Sequence, residues 1–266
     1  MKITSRTTAL VTGASRGLGR AYATELARRG ADLVLVARSE TALTELADEL
    51  GGRHGIRAEV IAADLADRDA PRAVVGELDA RGVTVDLLVN NAGLGAVGPF
   101  LERPLDRQLL SVEVNVLGLT ALSHLLGGRM RERGSGVIVN VASTAAFQPM
   151  PYQASYAATK AFVLSLSEAL AVELRGSGVR VVTAHPGAIA TGFFDGTTAT
   201  MDPRVTDAPD FVARRTIDDL ERGRVNSYPG RALMRVMTWL PRLLPRDAVG
   251  RITGRLNRHL GLHLAS

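Results

Sequence analysis

Short runs of apolar residues, apolar at odd and even positions alike, recur along this chain more regularly than anything else in it. They are "TALVT" (8–12), "DLVLVA" (32–37), "AEVIAA" (58–63), "VDLLVN" (85–90), "GVIVNVA" (136–142) and "VRVVTAH" (179–185). Strands buried between two helical layers have this length and this two-sided apolarity. Between the runs lie segments such as "GRAYATELARRG" and "SETALTELADELG", with apolar residues at helical spacing and a glycine closing each. Strict alternation of strand and helix predicts parallel βαβ units wound into one sheet. We therefore expect an α/β fold: a doubly wound, mostly parallel seven-stranded sheet with helices on both faces. No Pro- or Ser-rich linker interrupts the pattern, so a single domain is expected. In it, residues 223–266 add the last strand and basic amphipathic helices to the body formed by 1–222.

Composition narrows the chemistry. The 266 residues are 46% hydrophobic, enough for a substantial core. There is no cysteine, which excludes disulfides, thiolate metal sites and a thiol nucleophile. The first residues lack the apolar stretch of a signal peptide, and no apolar run is seen that approaches the ~20 residues of a membrane span. A cytoplasmic location is the expectation. The net charge of +5 is concentrated late: from Arg222 onward there are nine arginines against Asp247 alone. Dispersed arginines among leucines, without a nucleic-acid motif, do not predict DNA or RNA binding.

"TGASRGLG" (12–19) follows the first strand and opens the first helix. Strand, glycine turn and helix together aim free backbone N–H groups and the positive helix end at a phosphate, and the glycines let the backbone come close to a dinucleotide's pyrophosphate. Gly13, Ser15, Arg16, Gly17, Leu18 and Gly19 are the expected contacts. The second strand ends "VLVARSE", with Ala37 where an acidic residue would take the 2′-hydroxyl of NAD, then Arg38 and Ser39. Arg16 and Arg38 on the two flanking loops can grip a 2′-phosphate through charge-assisted bonds, which favours NADP(H) over NAD(H).

Tyr156 and Lys160 are four apart on a predicted helix and share a face. A tyrosine ordinarily holds its proton to pH ~10, and a neighbouring ammonium is expected to draw that value down. Ser143, at the end of the fifth strand, can donate a hydrogen bond to a carbonyl oxygen as it gains charge.

The glycine loop, "AADLAD" (62–67), "NNAG" (90–93), "VNVLG" (114–118), and "VAS" followed by "SYAATK" (141–143 and 155–160) occur in this order. The set resembles the short-chain dehydrogenase/reductase family over roughly residues 7 to 195. The resemblance implies a Rossmann-like fold and a catalytic set of Asn115, Ser143, Tyr156 and Lys160. Tyr156 would be the acid/base, Ser143 would hold the substrate, Lys160 would bond the nicotinamide ribose, and Asn115 would anchor a relay water. It further implies cofactor contacts at Asp64 and Leu65, at Asn91, Ala92 and Gly93, at Tyr156 and Lys160, and, in "HPGAIATG" (185–192), at Pro186, Gly187, Ile189 and Thr191. Asn90 is either a cofactor-side residue or a structural bridge in the sheet. His185 is expected to be structural, and no metal site is expected.

Loops at the carboxyl ends of the strands contribute Phe100, Phe147, Met150, Tyr152, Phe193, Phe194 and Met201 with little charge, so the expected partner is a small lipophilic ketone, aldehyde or alcohol. A homodimer or homotetramer is expected. In the tail, Leu233, Val236, Met237 and Leu240 share one helical face. Val249, Ile252, Leu256 and Leu260 align on a second helix opposite Arg251, Arg255 and Arg258. We expect these faces to be packed on the domain or a subunit neighbour. A pocket lid and a peripheral membrane contact are the less favoured readings. Two function classes follow: an active NADP(H) oxidoreductase, and a cofactor-binding sensor or scaffold without turnover. The complete set of four catalytic residues favours the first.

Overall fold

The computed structural model of the chain describes residues 1–190, 206–239, 241 and 243–264, with the side chains of Leu233 and Met237 outside the description. Seven strands form one sheet: β1 (Thr8–Thr12), β2 (Asp32–Ala37), β3 (Ala58–Ala62), β4 (Leu87–Asn90), β5 (Gly136–Val141), β6 (Val179–Ala184) and β7 (Asn226–Ser227). Their order is β3-β2-β1-β4-β5-β6-β7. Every pairing is parallel, from Thr8 opposite Asp32 to Ala184 opposite Ser227, so the sheet is all-parallel rather than mostly so.

Alternate residues of each strand feed two cores, as the two-sided apolar runs require. Ala9, Val11, Leu33, Leu35, Leu87 and Val89 pack under α1 (Gly17–Arg28), α2 (Glu40–His54) and α7 (Pro209–Glu221). Leu10, Val34, Val36, Leu88 and Ile138 pack under α3 (Ala70–Ala80) and α5 (Leu119–Arg133). Each fully buried Leu or Val contributes about 1.5–3 kcal/mol relative to an exposed one, and a polar replacement on either face would break the layer. Arg29 ties α1 to α7 through Glu25 (2.6 Å), Asp218 (2.7 Å) and Glu221 (3.1 Å).

α4 (Leu105–Val112) runs into a π-helical turn at Glu113–Gly118 and then into α5. The continuous run Leu105–Arg133 is long and apolar enough to cross a membrane by length and composition alone, a window the reading of apolar runs overlooked. Leu119, Leu122, Leu126 and Met130 of this run are buried within the domain, which accounts for the apolarity. The remaining helices are α6 (Ala154–Glu173), α8 (Ala232–Met237) and α9 (Arg246–His259).

Sheet order reverses between β1 and β4, and in such a fold a crevice opens outside the carboxyl ends of the strands at that point.

Candidate active site

The loops after β1 and β4 are cross-tied at this crevice. Thr12 Oγ1 accepts from the backbone N–H groups of Asn91 (3.0 Å) and Ala92 (2.9 Å), and Asn91 Nδ2 donates to the Thr12 carbonyl (2.9 Å). Asn91 and Ala92 are thus fixed against the glycine turn. Gly13 sits at φ +66°, and a Cβ there would lie 2.9 Å from Ala92 Cα. A Cβ on Gly19 would overlap the Gly13 carbonyl oxygen. These two positions need glycine because the turn folds back on itself and on its neighbour. α1 opens at Gly17 with no side-chain cap and no acidic residue in its first turn, so its first N–H groups are left for an anion. Ser15 is half-buried in the turn. Leu18 packs its side chain into the core, which restricts any cofactor contact to its backbone.

Arg16 and Arg38 are both exposed, and among the described residues neither makes an ion pair. Ser39 caps α2, accepting from Ala42 N at 3.3 Å. Asp64 stands exposed after β3, with Oδ1 accepting from Ala66 N (3.1 Å). Leu65 is buried, and its carbonyl lies 2.8 Å from where a Cβ on Gly118 would be.

The four catalytic candidates converge beside this loop. Lys160, from α6, is buried and donates to the Val141 carbonyl at 2.7 Å, its one hydrogen bond among the described residues. Two N–H donors remain. Burial lowers its pKa to about 8, so it is an ammonium at neutral pH. Its Nζ stands 5.8 Å from the Tyr156 ring centroid. Ser143 is buried, hydrogen-bonds the Tyr156 phenol, accepts from Ala145 N (3.1 Å) and reaches the Pro186 carbonyl (3.5 Å).

The expected lowering of the Tyr156 pKa is not found. Burial pushes the phenol up, and the Ser143 bond only partly opposes it. Lys160 is engaged with Val141 rather than with the phenol oxygen, so desolvation wins. Tyr156 is therefore held as a protonated phenol, the form that can donate a proton.

Asn115 lies in the π-helical turn, fully buried. Its Oδ1 accepts from Leu94 N (2.8 Å), while Nδ2 lies within reach of Leu94 O (2.9 Å) and Thr159 Oγ1 (3.0 Å). Its side chain thus pins the β4 loop to α6. A Cβ on Gly93 would come within 3.2 Å of Asn115 Oδ1 and 3.5 Å of Lys160 Nζ, so that position must stay small. Asn90 resolves as a bridge: its Nδ2 donates to Asn140 Oδ1 and Ser123 Oγ, both at 2.9 Å.

After β6, the Pro186 carbonyl accepts from Thr144 N (2.9 Å), which joins this loop to the Ser143 turn. Ile189 bridges Asp207, and a Cβ on Gly187 would lie 3.2 Å from Met234 of α8. Thr191, Phe193, Phe194 and Met201 lie outside the described residues. His185 is buried, shares a 3.0 Å hydrogen bond with Asn226 and stacks on Tyr228 with centroids 4.8 Å apart. Burial lowers its pKa to about 4, so it stays neutral. Phe147 packs edge-on against the same imidazole, which makes it a packing residue rather than a free pocket wall. No group of three or more His, Asp or Glu stands close enough to hold a metal among the described residues.

Sequence reading missed Thr12, Thr159 and Asp207. Thr12 offered a signal, a polar residue closing an apolar strand at a loop. Thr159 and Asp207 offered none, because their partners are remote in sequence.

α9 packs on the loop before α6. Thr253 Oγ1 donates to the Pro149 carbonyl (2.7 Å), Asn257 Nδ2 to the Pro151 carbonyl (2.8 Å), and Arg258 Nε to the Tyr152 hydroxyl (3.1 Å). The expected apolar stripe is only half covered: Val249 is buried, but Ile252 and Leu256 are exposed. Gly254 sets this orientation. A Cβ there would be 3.2 Å from Pro151, so the close approach is made by glycine and polar residues rather than by the stripe. Val236 of α8 is exposed too, and Leu240 lies outside the described residues.

The family pattern described as short chain dehydrogenase matches residues 7–202. A short chain dehydrogenase of Pseudocercospora fijiensis is 38% identical over 184 residues, 68% of this chain and 59% of that protein, so the match spans well under two thirds of its length. The very-long-chain 3-oxoacyl-CoA reductase of Anas platyrhynchos is 31% identical over 95% of this chain and 80% of its own. A short-chain dehydrogenase from Sphingobium yanoikuyae, solved in complex with NADPH, aligns with a TM-score of 0.80 at 34% identity, covering 89% of this chain and 93% of that one. A relative from Burkholderia phymatum, solved with NAD, aligns with a TM-score of 0.82 at 26% identity over 91% and 95%. By its matched pattern, its all-parallel sheet and the order of its motifs, this chain belongs to the short-chain dehydrogenase/reductase family.

Proposed function

We propose that the chain is an NADP(H)-dependent oxidoreductase that interconverts a lipophilic ketone or aldehyde and its alcohol. The observation that carries the reading is the convergence of Ser143, a protonated Tyr156 and a charged, nearly unengaged Lys160 beside a glycine turn that side chains would block. The dinucleotide fits this cradle: Gly13, Gly19 and Gly93 leave the room, and the N-terminus of α1 leaves the donors. Arg16 and Arg38 would hold a 2′-phosphate, Asp64 the adenine, and Lys160 the ribose. When bound, the cofactor supplies or accepts the hydride.

The chain's own residues supply the proton and the orientation. Ser143 donates a hydrogen bond to the substrate oxygen, and Tyr156, kept protonated by burial, gives its proton to that oxygen as negative charge develops. The Lys160 ammonium beside it stabilises the phenolate left behind. Asn115 fixes the geometry by clamping Leu94 to Thr159. In the oxidative direction Tyr156 takes the proton back.

The loops 93–100 and 144–155 carry no charged residue, and Met150 and Tyr152 in the second are only half-buried, which supports a lipophilic substrate. α4 leaves Leu105 and Leu109 exposed, which supports self-association through that helix.

The test is to follow nicotinamide absorbance with NADPH or NADH against a panel of lipophilic ketones. Oxidation of NADPH by at least one ketone is expected, with NADH at least about tenfold weaker in binding. Tight NADPH binding with no turnover on any carbonyl would leave the sensor reading standing instead.

A further inference from the structure

The inner face of α9 is occupied by the loop at 149–152, and its outer face is unusual for a helix in water. At 100° per residue, Ile252 and Leu256 form one strip of that face, and Arg251 and Arg255 form the strip beside it. Ile252 is 48% exposed and Leu256 53%. In the segment before the helix, Leu243 is 80% exposed and Trp239 57%. Arg255 makes no ion pair among the described residues, and Arg251 pairs only with Asp247 of its own helix, at 2.9 Å. Asp247 is the one acidic residue of the sequence beyond Glu221.

We propose that the outer face of α9 docks on an anionic lipid surface. Apolar side chains and arginines at helical spacing match what an interfacial helix places in the acyl boundary and the headgroups. The helix has 14 residues, about 21 Å at 1.5 Å each, too short to span a bilayer and suited to lying on one. A second copy of the same face is a poor partner, because it would bring like-charged arginines together as the leucines were desolvated. A bilayer bearing negative headgroups supplies both the counter-charge and the apolar volume. This surface stands apart from the substrate reading above, since it rests on the outer face of α9 alone.

The full chain is to be mixed with phosphatidylcholine vesicles, with and without phosphatidylglycerol, and followed by co-sedimentation. Trp239 is the only tryptophan in the sequence and is 57% exposed, so its emission reports on the segment that leads into α9. Sedimentation and a blue shift are expected with the anionic vesicles alone. Both should be lost as salt rises from about 0.05 to about 0.5 M and screening shortens. Arg251→Gln with Arg255→Gln, and separately Ile252→Ser with Leu256→Ser, should each lower the bound fraction on the order of tenfold. NADPH affinity and the size-exclusion volume should stay unchanged in both pairs. Equal binding to neutral vesicles, no binding at all, or variants that sediment like the parent would overturn the proposal. So would a size-exclusion volume that shifts to a smaller species in the Ile252/Leu256 pair, which would assign the face to a second copy.

Discussion

The proposed catalytic corner and the C-terminal helix are held in opposite ways. Asn115, Ser143 and Lys160 are buried, and their polar atoms are tied to Leu94, Thr159, Pro186 and Val141, backbone or side chain, from four different parts of the chain. α9 is tied to the domain along one edge, and leaves Ile252, Leu256 and a row of arginines in water. A buried polar network tolerates little change, since any lost partner strands a desolvated group. An exposed amphipathic face can change freely unless something binds it. The proposed chemistry falls where the chain has the least freedom.

That contrast is open to attack, most sharply at Tyr156. Tyr156→Phe removes the proposed proton donor and leaves the ring and the other proposed cofactor contacts in place. Turnover should fall by at least about 100-fold while NADPH affinity, measured by fluorescence titration, stays within a factor of about two. An active phenylalanine variant would move the acid elsewhere and unseat the catalytic corner.

A smaller effect is expected at the exposed arginines of the cofactor side. Arg38→Asp would replace the proposed charge-assisted contact with a repulsive one, so the ratio of NADPH to NADH affinity should drop about tenfold or more. Equal affinities in the parent chain would end the NADP(H) reading, leaving the fold and the catalytic set as they are.

Lys160 gives a test by pH. Its pKa is lowered from 10.5 to about 8 by burial, so the folded chain prefers it neutral while the unfolded chain keeps its proton longer. Unfolding then takes up protons between about pH 8 and 10.5, and stability rises with pH through that window. Thermal melts of the cofactor-free protein at pH 8 and pH 10 should show this rise in the parent and a smaller one in Lys160→Met. Identical pH profiles would mean that the ammonium is better solvated than its burial implies.

The mildest change is expected in the tail. Asn257→Ala leaves the Pro151 carbonyl without its donor, which costs about 1–3 kcal/mol where the group stays dry. The melting temperature should drop by a few degrees, with NADPH affinity untouched. A large loss of cofactor binding would show that α9 supports the catalytic corner after all.

Much of the fold was legible because its periodicity is local. Runs such as "DLVLVA" are apolar on both faces whatever surrounds them, and a strand of that kind has to lie between two helical layers. The glycine turn and the Tyr156–Lys160 spacing were legible for the same reason, since a tight turn and a shared helix face are properties of a few consecutive residues. The direction of the Tyr156 shift was not. It depended on which acceptor Lys160 would choose and how dry the phenol would be, and Val141 and Ser143 arrive there from the end of β5 and the turn after it.

The sequence by itself determined the alternating strands and helices, the bare phosphate turn and the absence of any thiol chemistry, because each follows from residue type and near-neighbour spacing. Only the tertiary structure decided that Asn90 is a bridge to Asn140, that Thr12 clamps the loop carrying Asn91 and Ala92, and that α9 turns Ile252 and Leu256 outward. Those outcomes rest on contacts between residues far apart in the chain. In the last case, the close approach of Gly254 to Pro151 outweighed the apolar stripe in setting how the helix lies.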